Sequence, residues 1–193
     1  MARPKRKFSA RLRRLVPIRV VRRFARQQGG AAAVEFALVA VPFLALTFAI
    51  LETALVFFAG QTLETAVTDA SRLILTGQAQ TANYTQADFK NAVCARVYGL
   101  FDCAGGIYVD VKNYSSFSSI NNTPPVNNGT FDSSKVAYQL AGPNCIQVVT
   151  VYYQWPIYVT MLGNNLANLS GNKRLLAATA VFRNEPYGPA ACS

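Results

Sequence analysis

The residues whose types and spacing could do chemistry lie at the head of one apolar run and beyond it. Gly30 is followed by four small or apolar residues, Ala31 to Val34, and then by Glu35 and Phe36. From Phe36 to Ala59 the run carries one further charge, Glu52, and one proline, Pro42. A carboxylate inside an apolar helix costs about 2.5–3.5 kcal/mol at mid-bilayer on insertion scales, so Glu35 calls for a partner unless it snorkels to water at a membrane edge. Glu52 would face another helix or lie near the opposite interface. It follows Glu35 by 17 residues, which at 100° per residue puts the two carboxylates on faces about 100° apart. The other reactive groups are Cys94, Cys103, Cys145 and Cys192.

The element that must position the glutamates is a single long helix. At 1.5 Å per residue, Phe36 to Ala59 would extend about 36 Å, enough to cross a hydrocarbon core of about 30 Å with some tilt. Of the 19 Lys and Arg residues, 11 lie between Arg3 and Arg26, and no acidic residue precedes Glu35. The net charge of +10 is therefore concentrated in a tail. That asymmetry keeps the N-terminus in the cytoplasm and sends the C-terminus across, by the positive-inside rule. From Ala31 onward the chain has eight bases and nine acids, which argues against a basic nucleic-acid-binding domain. A secretory signal fits poorly, because its apolar core spans only about 7–15 residues. The reading is a basic leader over 1–30, a transmembrane helix with an amphipathic extension over 31–76, and an exported domain over 77–193.

Past the run, Leu63, Ala66, Val67, Ala70, Leu73 and Ile74 repeat at helical spacing, so the helix is predicted to continue to Leu75, with Gly77 as its stop. Thr85 and Asp88 form a capping-box pattern ahead of Phe89, Val93 and Val97, which predicts a second helix ending by Gly99. Ile107, Val109 and Val111 alternate with polar residues as in a half-buried strand. Ile146 to Trp155 is rich in β-branched and aromatic residues and reads as the central strand, closed by Pro156. Leu175 to Arg183 offers Leu176, Ala178, Ala180 and Phe182 on one face, and Val136 to Leu140 is a candidate edge. Asn113 to Ser134 reads as a long surface loop, and formal glycosylation triplets occur at Asn113, Asn121, Asn128 and Asn168. The fold class is α+β: a long N-terminal helix, a second helix and an antiparallel sheet of three or four strands.

All four cysteines follow the apolar run, and an even number in an oxidising compartment suggests two disulfides. Three pairings are open, of which Cys94–Cys103 with Cys145–Cys192 is favoured. A metal site is disfavoured by the lack of Cys-x-x-Cys, and the chain contains no histidine. Without histidine a Ser-His-Asp or Cys-His catalytic set cannot be built. The expectation is no catalytic residue, no metal and no cofactor.

The leader ending in Gly30, with Glu35 five residues beyond it, resembles a class III prepilin-type signal. The segment Arg23-Phe24-Ala25-Arg26, then Gly29 to Leu38, Leu63-Glu64-Thr65-Ala66 and Asp69-Ala70-Ser71-Arg72 resembles the TadE-like proteins of the tight-adherence (Tad/Flp) pilus system. Val151 to Pro156 and Phe182 to Tyr187 are similar to the tails of longer members. The resemblance implies a pilin-like fold and cleavage between Gly30 and Ala31 by a membrane prepilin peptidase. Gly30 would ease the approach of an extended peptide to that enzyme. The resemblance also implies assembly roles for Glu35 and Phe36, the carboxylate meeting an α-amine exposed by cleavage. The implied protein is a minor pseudopilin acting in pilus assembly, adhesion and biofilm formation. Its implied partners are the bacterial inner membrane, the peptidase, other pilins and pseudopilins, and the Tad assembly platform. Two alternatives stay open: an unprocessed single-pass scaffold of the same export machine, and an anchored periplasmic enzyme.

Overall fold

A computed structural model describes residues 28–97, 99–159, 165–188 and 192. The basic leader up to Gln27 lies outside the described residues. Among the described residues three helices are followed by the strands: α1 Gln28–Leu75, α2 Gln78–Thr81, α3 Gln86–Cys94, β1 Ile107–Tyr114, β2 Val126–Asn127, β3 Thr130–Phe131, β4 Ile146–Pro156 and β5 Lys173–Arg183. The class is α+β, with an antiparallel sheet ordered β1-β4-β5 and a separate two-stranded hairpin.

The chain divides into two compact units, Met1–Ala45 and Leu46–Ser193. Only helix, from Gln28 onward, is described in the first. In the second, α1 contributes a seam that starts at Glu52 and continues through Val56, Ala59, Leu63, Ala66, Val67, Ala70 and Ile74, all buried. Steps of four and three along most of this seam keep one face of a helix against a core. It packs with Phe89 and Val93 of α3 and with Val109, Val111, Val149, Val151, Leu176 and Ala178 of the sheet. From Gly30 to Leu51 no residue is buried. The unpacked apolar length is thus about 33 Å at 1.5 Å per residue. It ends earlier than the stretch from Phe36 to Ala59 marked by hydropathy, because Val56 and Ala59 face protein. Apolar side chains read alike whether the neighbour is a core or a lipid.

Gly77 ends α1 in the left-handed conformation, φ 79°, with the Tyr187 ring so close that an added Cβ would lie 2.6 Å from it. The Glu185 N–H donates to the Leu75 carbonyl at 2.9 Å, satisfying an orphan carbonyl of the helix end. At α3 the capping box is present: the Asp88 N–H donates to Thr85 Oγ1, and the Thr85 N–H donates to the Asp88 carboxylate at 2.9 Å. Those Thr85 hydrogen bonds, the hydroxyl first, hold the Asp88 carboxyl below its usual value.

Two sequence expectations change. Val136 to Leu140 makes no full strand. It meets β1 through one parallel bridge, Val111 with Tyr138, with the Val111 N–H donating to Ala137 and the Gln139 N–H to Val111. The Asp110 carboxylate fixes this segment by accepting the Ala137 N–H at 2.7 Å and Lys112 Nζ at 2.8 Å, so it is buried where alternation alone placed it outward. Asn113 to Ser134 is not all loop either. It holds the end of β1 and the hairpin β2–β3, turned at Asn128-Gly129 with positive φ at both residues. Phe131 of that hairpin packs on Tyr152 and Leu169 as a small satellite core.

The disulfides join Cys94 to Cys103, from the end of α3 toward the start of β1, and Cys145 to Cys192. Their sequence separations are 9 and 47. In the loop-entropy model these closures are worth about 2.7 and about 4 kcal/mol. Replacing Cys145 and Cys192 together by serine is therefore expected to lower unfolding free energy more than replacing Cys94 and Cys103. Denaturant titration of the two double variants checks the order.

Candidate functional site

The two carboxylates of α1 differ in setting. Glu35 and Phe36 stand on the unpacked stretch, Phe36 75% exposed and Glu35 exposed. No hydrogen bond or ion pair ties Glu35 to another described residue. Gly30 sits in the same stretch, and an added Cβ there meets nothing within 4 Å. The fold makes no demand for glycine at that position.

Glu52 is buried at 8% exposure, one turn before Val56 on the seam. Its two oxygens accept the backbone N–H groups of Tyr158 and Val159, at 2.5 and 2.9 Å. The carboxylate thereby ties the segment leaving β4 to the helix, and charge-assisted bonds of this kind are stronger than neutral ones. Tyr158 itself is 82% exposed beside this clamp. The partner of Glu52 is thus its own chain's backbone, where sequence reasoning looked for another helix or an interface. A signal was present: Glu52 precedes Val56, Ala59 and Leu63 by four, seven and eleven residues, in register with the buried seam.

Elsewhere in the fold the polar groups organise structure. Asn184, 2% exposed, donates to the Ala141 and Gly142 carbonyls at 3.1 and 2.8 Å. Burial pushes Tyr138 and Tyr152 up to about 12, so both stay neutral phenols.

An apolar, largely unpacked helix that continues into a disulfide-bonded α+β domain defines a class of protein suited to membrane anchoring. Residues 30–72 match the family model for TadE-like protein. No curated protein and no solved structure gives a match. The matched segment begins at Gly30, includes Glu35 and Glu52, and covers most of α1. The likeness is confined to this segment of 43 residues in a chain of 193.

Proposed function

We propose that the protein is a minor pseudopilin of a Tad pilus, anchored by Gly30 to Leu51 and processed between Gly30 and Ala31. The observation that carries this reading is the division of labour along α1. Its first part buries nothing and its second part supplies the core of the domain. A helix built only for the core would have no use for about 33 Å of exposed apolar surface, which is close to the thickness of a bilayer's hydrocarbon. The exposed Glu35, without a partner among the described residues, supports a role met by another subunit, and the open space at Gly30 supports a glycine kept for a peptidase rather than for packing.

In this mechanism the basic leader stays in the cytoplasm and resists extraction of the helix, because moving Arg and Lys into hydrocarbon is costly. Removing it leaves a short apolar N-terminus. The new α-amine of Ala31 then meets a Glu35 carboxylate on a neighbouring helix, and in low dielectric their attraction offsets part of the desolvation of both charges. That pairing sets the register, while the bulk of the domain restricts the subunit to a minor position in the filament. The role is assembly and adhesion, without catalysis. Orientation is tested by reporters fused after Ser193. A reporter that works only after export is expected to be active, and activity confined to a cytoplasmic reporter would overturn the topology.

A further inference from the structure

Within the unit Leu46–Ser193 the exposed surface of α1 changes character at one place. From Leu46 to Phe58 every exposed residue is apolar, and from Gln61 to the end of the helix every exposed residue is polar. Phe57 and Phe58, 65% and 58% exposed, are the last of the apolar set. The domain, however, already meets the helix at Glu52. The seven residues from Glu52 to Phe58 therefore carry the buried seam on one face and bare Leu55, Phe57 and Phe58 on the others. They add about 10 Å to the unpacked helix of about 33 Å, which takes its length from that of a bilayer's hydrocarbon to that of hydrocarbon with headgroups, about 40–45 Å.

A second observation lies in the chain that packs there. Tyr158 and Val159 are irregular backbone, and their N–H groups stand within one side-chain length of Glu52, about 14 Å along the helix before the polar residues begin. Irregular backbone is tolerated at membrane depth only where the protein satisfies its polar groups, and the Glu52 carboxylate satisfies both donors. The exposed Tyr158 ring projects from this clamp, and an apolar ring with a polar tip suits the membrane–water interface. Charge complements the surface. Arg96 lines a depression of about 600 Å³ with Phe58 and Leu100, and Arg174 lines one of about 260 Å³ with Phe57 and Gly60. Each guanidinium donates to a backbone carbonyl, that of Ala92 and that of Leu166, and neither pairs with a carboxylate among the described residues. Glu64, on the wall shared with Arg174, accepts instead from the Gln61 amide.

We propose that the end of the domain at Glu52 is itself seated in the bilayer that holds the anchor. Leu55, Phe57, Phe58 and Tyr158 enter the headgroup and upper acyl layer, and Arg96 and Arg174 meet phospholipid phosphates. Side-chain bulk decides for lipid over a second transmembrane helix. Helices that pair in membranes meet through small residues that let their backbones approach, whereas Leu, Phe and Tyr cover this surface. Arginines at such a level keep their stems on apolar surface and reach outward with their charge. Seating of this kind rests on the membrane-anchored reading, which flotation with vesicles tests separately.

The experiment reconstitutes the full-length chain in phosphatidylethanolamine–phosphatidylglycerol vesicles whose acyl chains are brominated near the headgroup. Tryptophan is placed at Phe58, at Tyr158 or, as a reference, at Thr68, and the emission of Trp155, the chain's one tryptophan, is subtracted. All three positions are exposed, so the fold in detergent is expected to be unchanged. Phe58→Trp and Tyr158→Trp should be quenched at least about threefold more than Thr68→Trp, which stands about 15 Å beyond Phe58 on the helix. Adding Arg96→Gln with Arg174→Gln should lower the quenching of Tyr158→Trp at least about twofold. In cells that make the rest of the pilus system, a benzophenone side chain at Tyr158 should add to phospholipid. A chain that does not float with the vesicles would remove the anchor and this seating together. A floating chain in which Phe58→Trp and Tyr158→Trp are quenched no more than Thr68→Trp, quenching indifferent to the two arginines, or a benzophenone adduct to protein would overturn the seating alone.

Discussion

Replacing Gly30 by tryptophan is expected to leave the leader attached, and replacing Glu35 by alanine is expected to release it yet still impair the pilus. The two variants separate steps that the anchored helix combines. An added side chain at position 30 meets no neighbour, and glycine is a poor helix former, so Gly30→Trp leaves the fold intact and any defect belongs to the peptidase step. Glu35 is exposed, so its removal costs the isolated chain little. In the assembled state it would leave the Ala31 amine without its carboxylate in low dielectric, and unpaired buried charges cost about 3–5 kcal/mol. Piliation counted by electron microscopy should fall at least about tenfold in both variants, 1.4 kcal/mol sufficing for a factor of ten. The leader should persist only in Gly30→Trp. Normal piliation in both would favour the unprocessed scaffold.

Glu52→Ala should destabilise the domain itself. It strips the acceptor from the Tyr158 and Val159 N–H groups and leaves the start of the seam without its anchor. The expected loss is about 1–3 kcal/mol, the cost of leaving such donors unsatisfied. Glu52→Gln, which keeps one acceptor oxygen, should lose less. Denaturant unfolding of the full chain in detergent gives the magnitudes, and faster amide exchange at Tyr158 and Val159 would localise the effect. Unchanged stability and exchange in Glu52→Ala would show that the clamp is dispensable.

What the sequence revealed and what it hid follow from how far each signal reaches along the chain. The α1 terminus at Gly77, the Thr85–Asp88 box and the strand at Ile146 to Trp155 are local signals: a left-handed glycine, a three-residue spacing, a run of β-branched residues. All three were legible. The role of Glu52 was not, because its partners lie more than 100 residues away, at Tyr158 and Val159, and are backbone groups that carry no residue type. The burial of Asp110 was hidden for a similar reason, since its acceptor role depends on the Ala137 amide folding back beside β1. The hairpin at Val126 to Phe131 was lost inside a stretch of Ser, Asn and Pro, although Asn128-Gly129 marks its turn. The end of the unpacked stretch was hidden too, because hydropathy does not distinguish the Val56 and Ala59 face, which meets protein, from Phe57 and Phe58, which stay exposed.

The account stands most directly on the state of the N-terminus. Intact mass and N-terminal sequencing of the protein, purified from cells with and without the prepilin peptidase, measure it. With the peptidase, the chain is expected to begin at Ala31, having lost Met1 to Gly30, and without it the chain should keep its leader. A chain that still carries its leader in both preparations would contradict a processed pseudopilin and leave the anchored scaffold in its place.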